Sequence, residues 1–90
     1  MSIKIHIPTP LRPYVDGQDE ITIQRSGSVG EILSELNPAL KKRIYDDKNQ
    51  LRKFVNVYLN DEDIRYQQGE ATPTKTGDVI SIVPSIAGGK

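Results

Sequence analysis

The run Val79-Ile80-Ser81-Ile82-Val83, near the end of this 90-residue chain, determines the architecture that the sequence predicts. Its two valines fall on one face of an extended segment and its two isoleucines on the other. β-branched residues favour a strand, and apolar residues on both faces are typical of a central strand. Gly77-Asp78 precedes the run as a turn, and Pro84 follows it as a stop. We therefore predict a last strand over 79–83.

Four further segments have strand patterns. Isoleucines at positions 3, 5 and 7 alternate with polar residues, as in a strand with one buried face. Glu20–Gln24 repeats the alternation, and Phe54–Leu59 combines β-branched with aromatic residues. After a turn at Asn60–Asp63, the segment Ile64–Tyr66 is long enough for a small strand.

Two helices are predicted between the second and third strands. Ser28 and Glu31 match a capping box, and the apolar residues behind them share one helical stripe: Val29, Ile32, Leu33 and Leu36. Asn37-Pro38 ends this main helix, because the residue before a proline avoids the α conformation. A second, shorter helical turn is predicted over 38–45. The polar or proline-rich stretches 9–19, 46–53 and 67–76 are predicted to be irregular connections.

The predicted order is therefore β-β-α-(short helix)-β-β-β. One domain spans residues 1–85, and residues 86–90 form a tail. A mixed sheet of about four to five strands with a helix across one face is an α+β arrangement. Pairing of the last strand beside the first would close the ubiquitin-like β-grasp fold. The tail would then follow from the middle of the sheet.

Composition excludes several function classes. Twelve basic residues balance twelve acidic ones, so neither phosphate-driven nucleic-acid binding nor polybasic membrane binding is expected. The chain has no cysteine, which excludes a disulfide framework, a thiolate metal site and a cysteine nucleophile. No apolar run approaches the ~18 residues of a membrane span, and the short N-terminal strand does not match a signal peptide. We expect a cytoplasmic protein.

Individual polar groups suggest no catalytic or metal site. His6 is the only histidine and falls on the polar face of the first strand, so we interpret it as a surface residue. The acidic stretches 46–47 and 61–63 lack the pattern of a calcium loop and are interpreted as solvated turns. The segment 26–30 lacks the lysine of a phosphate loop and is interpreted as a helix cap. We expect no bound metal or cofactor and no catalytic residue.

The chain ends Ile86-Ala87-Gly88-Gly89-Lys90. Two adjacent glycines lack Cβ atoms, so this backbone is thin enough to enter a narrow enzyme cleft. A solvated end with no role is the alternative interpretation, since terminal residues are commonly disordered.

The tail and the predicted fold together resemble the ThiS/MoaD family of ubiquitin-like sulfur carriers. The resemblance rests on the order of elements, the run 76–84 and the ending Ala87-Gly88-Gly89. Two further stretches, 7–13 and 54–65, are similar to the cysteine-biosynthesis branch of that family. The resemblance covers nearly the whole chain.

This resemblance implies a role as a protein co-substrate rather than an enzyme. In the family, an E1-like adenylating enzyme uses ATP to join AMP to the terminal glycine carboxylate, and sulfur then displaces AMP to leave a thiocarboxylate. Here Gly89 would carry the reacting carbonyl, while Ile86, Ala87 and Gly88 would thread into the partner's active site. In the cysteine branch, a cysteine synthase accepts the sulfur and a zinc metalloprotease releases the product.

Lys90 departs from the family pattern, because Gly89 is then held in a peptide bond. We expect a protease to remove Lys90 before activation, and the family's metalloprotease is a plausible agent. Phe54 and Arg65 are candidate docking residues for partner enzymes. For Phe54 the alternative is a core position, and for Arg65 it is a solvated charge.

Three other functions stay open at this point. The sulfur could serve thiamin or molybdopterin synthesis, since the sequence does not fix the acceptor. The chain could instead be a ubiquitin-like protein modifier that forms isopeptide bonds through Gly89. It could also be an inert β-grasp interaction module whose tail has no chemistry.

Overall fold

A computed structural model describes residues 2–84; Met1 and residues 85–90 lie outside the described part of the chain. The strands are β1 (Ile3–His6), β2 (Glu20–Ile23), β3 (Val55–Leu59), β4 (Glu62–Asp63) and β5 (Val79–Pro84), and the α-helices are α1 (Val29–Leu33) and α2 (Pro38–Ile44). The strands form one sheet in the order β2-β1-β5-β3-β4. The predicted mixed sheet and order of elements are confirmed. The predicted boundary between the domain (1–85) and the tail (86–90) lies outside the described residues.

Strand β5 is the middle of the sheet, as its apolar pattern predicts. It pairs parallel to β1, where Ile5 lies opposite Ile80, and antiparallel to β3, where Val57 lies opposite Ile82. The expected closure of the last strand beside the first is therefore confirmed. Strand β5 also extends one residue beyond its predicted end, to Pro84.

Only one face of the sheet is covered. Ile80 and Ile82 are buried beneath the helices, whereas Val83 on the opposite face is 43% exposed. The buried core joins inward side chains of the sheet to both helices and to residues of the connecting segments, two of them between β1 and β2: Ile3, Ile5, Ile7, Leu11, Val29, Ile32, Leu33, Leu36, Leu40, Ile44, Val57, Leu59, Ile64, Ile80 and Ile82. The other face of the sheet is open.

The predicted capping box at the start of α1 is confirmed. The Glu31 amide donates to Ser28 Oγ at 3.3 Å, and the Ser28 amide donates to Glu31 Oε1 at 2.8 Å. This amide donation is the main reason that the pKa of Glu31 lies below its usual value. Two of the amides that an α-helix leaves unpaired at its start are thus engaged.

The relative lengths of the helices are the reverse of those predicted. Helix α1 has five residues and α2 has seven. The cause lies at Asn37, whose side-chain oxygen accepts a hydrogen bond from the Leu40 amide at 2.8 Å and caps α2. Leu36 is buried, as its place on the apolar stripe predicts, although it lies beyond the end of α1.

Three segments form 3₁₀ helices that the sequence did not predict: Thr9–Val15, Ile64–Tyr66 and Gly69–Ala71. In the first, Leu11 packs into the core and orders a connection that was expected to be irregular. The strand predicted over Ile64–Tyr66 is wrong, since β4 comprises the two residues before it. The Asp63 side chain accepts from the Arg65 amide at 2.8 Å and starts the 3₁₀ turn, which buries Ile64.

A polar cluster anchors the start of β5 to the β3–β4 turn. Asn60 has a positive φ of 51°, and its side-chain oxygen accepts from the Val79 amide at 2.9 Å. Its Nδ2 donates to Asp78 Oδ1 at 2.9 Å, and Asp78 Oδ2 accepts from the Lys75 amide at 2.9 Å. Asp78 is buried. The turn signal at 77–78 therefore also fixes where the last strand begins.

Within residues 2–84, no helix has the length and hydropathy needed to cross a membrane.

Candidate functional site

The predicted reacting residue Gly89, the threading residues Ile86, Ala87 and Gly88, and the residue predicted to be removed, Lys90, all lie outside the described residues. The described chain reaches Pro84, which lies opposite Val55 at the end of β5. Residues 85–90 therefore follow directly from the end of the central strand. The surroundings of Pro84 are the part of the candidate site that the structure describes.

Phe54 lies beside this point. It directly precedes β3, is 46% exposed, and lines a cavity of about 320 Å³ together with Val55 and Pro84. The Lys53 ammonium lies 6.0 Å from the centroid of its ring, at the outer limit of a cation–π contact. The alternative of a core position for Phe54 is therefore wrong. Its role in docking stays a prediction.

Arg65 is held in a defined position at the surface. Its Nε lies 3.2 Å from both carboxylate oxygens of Asp63, and its Nη2 lies 2.7 Å from Asp63 Oδ2 and 2.8 Å from Asn56 Oδ1. The Asp63 side chain is only 7% exposed, whereas that of Arg65 is 63% exposed. The guanidinium thus covers a buried carboxylate and presents its outer edge to solvent.

Asp63 and Arg65 shift each other's pKa in opposite directions. Side-chain hydrogen bonds from Arg65, supported by its amide and its charge, hold the pKa of Asp63 below the usual value. The same side-chain bonds, with the charge of Asp63, raise the pKa of Arg65. Each group therefore keeps its charge. The Arg65 side chain is exposed and bonded within the chain, and its role in docking stays a prediction.

Three large apolar side chains in the described chain are markedly exposed: Phe54 at 46%, Tyr66 at 81% and Val83 at 43%. All three lie around Arg65 and Asn56. Val83 is opposite Asn56 in the β3–β5 ladder, Phe54 comes two residues before Asn56, and Tyr66 directly follows Arg65. We name these five residues the sheet-end patch. A cluster of exposed aromatic residues around an arginine is typical of protein–protein contact surfaces.

Two members of the sheet-end patch, Phe54 and Arg65, were predicted from the sequence as docking residues, and the other three were not. Val83 was expected on a covered face of a central strand, because both faces of the run are apolar. Tyr66 was assigned to a strand, so its exposure was not foreseen. The signal that was available for Asn56 is its position as the only strongly polar residue within the run 54–59.

His6 and Asp46 have structural partners. His6 Nε2 lies 3.2 Å from Glu20 Oε1 on the exposed side of the sheet, in agreement with its interpretation as a surface residue. Asp46 Oδ1 accepts from the amides of Lys48 and Gln50 and shapes its own loop. Among residues 2–84, no three histidine or acidic side chains are grouped so as to hold a metal ion.

Comparison with known proteins assigns the family. The family model described as the ThiS family matches residues 5–89, nearly the whole chain. The chain belongs to the ThiS family. The predicted resemblance is therefore confirmed, and the match ends at the second glycine of the tail.

Two relatives identify the branch of the ThiS family that this member resembles. It is 36% identical over 94 aligned residues to the sulfur carrier protein CysO of Mycobacterium tuberculosis, with 99% of this chain and all of CysO covered. A chain of the crystal structure of the Amycolatopsis orientalis BexX/CysO complex has a TM-score of 0.85 and 33% identity, covering 97% of this chain and 99% of that one. These likenesses confirm the β-grasp fold and the similarity to the cysteine-biosynthesis branch.

A third relative bears the name of a modifier protein rather than that of a carrier. The small archaeal modifier protein 3 of Haloferax volcanii is 31% identical over 94 aligned residues, with 99% of this chain and all of that protein covered. The ThiS-family fold thus occurs in proteins named as carriers and in proteins named as modifiers.

Proposed function

We propose that this ThiS-family protein is a sulfur carrier in which the carboxylate of Gly89 is converted into a thiocarboxylate. The observation that carries the proposal is the family match, which extends to Gly89 and so includes both glycines. The homologous CysO of Mycobacterium tuberculosis bears the name sulfur carrier protein. The fold supports the role, because residues 85–90 follow from the end of a central strand beside the sheet-end patch.

The chemistry requires an activated carboxylate. An E1-like adenylating enzyme would join the Gly89 carboxylate to the α-phosphate of ATP and release pyrophosphate. A sulfide equivalent would then attack the acyl carbon, form the C–S bond and expel AMP. Because the chain contains no cysteine, no thiol of its own competes for the acyl group. ATP is bound by the partner enzyme, and the carrier itself is a co-substrate without a bound cofactor.

The proposed acceptor is a cysteine synthase, in line with the similarity to CysO. The thiocarboxylate sulfur would displace the leaving group of an activated serine derivative and form cysteine on the carrier. A zinc metalloprotease would then release the amino acid and regenerate the Gly89 carboxylate. We place this sequence of reactions in the cytoplasm, where the ATP-dependent partner would act.

Docking would bring the sheet-end patch against the partner enzymes. Phe54 lies beside Pro84, so a surface that contacts Phe54 is also close to the start of the tail. Arg65 presents a fixed guanidinium that suits an acidic group on the partner. Aromatic residues and arginine contribute most to binding in many interfaces. The sheet-end patch includes Val83, the residue directly before Pro84, from which the tail continues in the sequence.

Lys90 follows Gly89 in the sequence, so the Gly89 carbonyl has to be freed before it can react. We propose that a protease removes Lys90. One experiment tests this removal together with the carrier function. The full chain and a version ending at Gly89 are incubated with an adenylating enzyme, ATP and a sulfide donor. Mass spectrometry is expected to detect replacement of one oxygen by sulfur only in the shorter version. Thiocarboxylate on the uncut chain would disprove the precursor role.

Protein modification is the second candidate function, and the likeness to small archaeal modifier protein 3 favours it. In that case Gly89 would form isopeptide bonds with lysines of other proteins. Such conjugates survive treatment with thiols, whereas a thiocarboxylate carrier leaves none. Immunoblots of thiol-treated lysates from cells that express the Gly89-ended chain distinguish the two functions.

A further inference from the structure

The cavity of about 320 Å³ beside the end of β5 adjoins the point from which the tail continues. Its walls are three apolar residues, two cations and one acid: Phe54, Val55, Pro84, Arg52, Lys53 and Asp46. Pro84 is the last residue that the structure describes, so residues 85–90 follow in the sequence from a wall of this cavity. The tail is therefore the segment of the chain that has the shortest route into it.

The two cations of the cavity have no ionic partner within the described chain. Arg52 and Lys53 form no ion pair with a carboxylate among residues 2–84. Arg52 is held by bonds of 3.1 and 3.0 Å from its Nε and Nη2 to the Lys42 carbonyl. A carbonyl carries no net charge, so the charge of the guanidinium stays uncompensated. The Lys53 ammonium lies 6.0 Å from the centroid of the Phe54 ring.

Asp46 offsets one of these two positive charges. Its Oδ1 accepts hydrogen bonds from the amides of Lys48 and Gln50, which hold the carboxylate against its own loop. Two cations and one carboxylate leave the walls with a single excess positive charge at neutral pH. One further carboxylate would balance it, whereas a segment with several acids would exceed it.

The tail has the reach and the chemistry to occupy the cavity. Gly89 is five residues beyond Pro84, and an extended residue spans at most about 3.6 Å, so Gly89 lies within roughly 18 Å of this wall. Ile86 is the only large apolar residue of 85–89, and these five residues contain no charged side chain. Once Lys90 is removed, the Gly89 carboxylate is the single negative charge that they carry. Because the site lies on the same chain, the effective concentration of the tail is about millimolar, and weak contacts suffice.

We propose that, in the chain ending at Gly89, the tail rests in this cavity, with Ile86 against Phe54 and the Gly89 carboxylate against Arg52 and Lys53. The proposal rests on the proposed function, because removal of Lys90 is what frees that carboxylate. Phe54 also belongs to the sheet-end patch. A partner enzyme that contacts Phe54 therefore displaces Ile86 and releases the tail for activation.

The test is NMR of the isotope-labelled chain ending at Gly89, with no enzyme present. An NOE is expected between the Ile86 methyl groups and the Phe54 ring. A second sample, in which Gly89 ends in a neutral carboxamide, should shift the Arg52 Nε–Hε signal, because the carboxylate that pairs with the guanidinium is lost. Ile86→Ser should shift the Phe54 ring signals.

Charge variants locate the carboxylate contact. Lys53→Gln should reduce the difference in the Arg52 signal between the carboxylate and carboxamide forms. Lys48→Gln is the matched control, because Lys48 lies on the same loop without lining the cavity, and it should leave that difference unchanged. High salt should reduce the difference as Lys53→Gln does, since the contact is between opposite charges.

Absence of the NOE between Ile86 and Phe54 would overturn the resting position, as would identical Arg52 signals in the carboxylate and carboxamide forms. An NOE that joins only labelled with unlabelled copies in a mixed sample would place the tail on a neighbouring molecule and would also overturn it. The experiment does not involve sulfur, so its failure leaves the sulfur-carrier proposal intact. Conversely, absence of thiocarboxylate in the mass-spectrometric test would remove the carrier function wherever the tail rests.

Discussion

At the scale of single residues, Arg65 shows what a sequence can and cannot disclose. Its charge and its place after an acidic turn predict a surface role, and the structure places it at the surface. Its bonds to Asp63 and Asn56 were not predicted, because they depend on the 3₁₀ turn that folds Arg65 back over β3. Sequence therefore identified the residue but not the reason for its fixed position.

The Asp63–Arg65 pair predicts a pH-dependent contribution to stability. The pKa of Asp63 is lowered in the folded protein, so its stabilisation is complete above the unfolded pKa of about 3.9 and is lost as the pH falls through the folded value. Asp63→Asn should therefore lower Tm at pH 7, and the difference from the wild type should shrink below about pH 4. Asp47→Asn removes an exposed acid and serves as the control. A difference that stays constant with pH would contradict the prediction.

The contacts of Asn60 predict that its substitution lowers the free energy of unfolding. Asn60→Ala places an ordinary side chain at positive φ and removes the hydrogen bonds to Asp78 and Val79, which leaves Asp78 buried with fewer partners. The lost bonds should cost about 1–3 kcal/mol, with an additional backbone penalty of about 1 kcal/mol. Asn60→Gly removes the bonds alone and should be intermediate in urea denaturation. Equal stability of the alanine variant and the wild type would rule out this anchoring role.

At the scale of elements, the strands were more predictable than the helices. Period-two alternation places β1 and β2, and the β-branched run places β3, because each of these patterns is local. The lengths of α1 and α2 depend on how Asn37 caps the second helix. The 3₁₀ helix at Thr9–Val15 contains two prolines, Pro10 and Pro13, and it forms where Leu11 packs into the core. Neither the helix lengths nor the 3₁₀ helix can be predicted from a short stretch of sequence alone.

The capping box predicts that α1 is destabilised when Ser28 is substituted. A five-residue helix has few internal hydrogen bonds, so the two bonds between Ser28 and Glu31 form a large part of its stabilisation. Ser28→Ala should lower the free energy of unfolding by about 0.5–2 kcal/mol in urea denaturation. The matched control is Ser26→Ala, an exposed serine outside the box. Similar effects of the two substitutions would show that the cap is not required.

At the scale of the whole molecule, β5 is the central strand, and its last residue, Pro84, is the last one that the structure describes. Apolar residues on both faces of 79–83 predicted a central strand, and the parallel pairing with β1 confirms it. The same pattern could not tell which face the helices cover, because valine and isoleucine are equally suited to burial. That choice is made by the connection through α1 and α2, and it leaves Val83 exposed directly before Pro84.

The exposure of the sheet-end patch predicts that a substitution there weakens binding to a partner enzyme without lowering Tm. Phe54→Ala should weaken binding to the adenylating enzyme by about tenfold or more, as expected for an aromatic anchor at an interface. Its Tm should stay close to that of the wild type, since Phe54 is outside the core. Thr22→Ala, on the far edge of the sheet, should change neither quantity. Unchanged enzyme affinity in the Phe54 variant would exclude docking through this patch.

Sulfur transfer through Gly89 is tested most directly with isotopically labelled sulfide. The Gly89-ended chain is incubated with the adenylating enzyme, ATP and labelled sulfide, and its C-terminal peptide is sequenced by tandem mass spectrometry. The label is expected on the acyl carbon of Gly89 and is then expected to move into cysteine when the synthase and an activated serine are added. Labelled cysteine that forms while the C-terminal peptide never carries the label would contradict the carrier role.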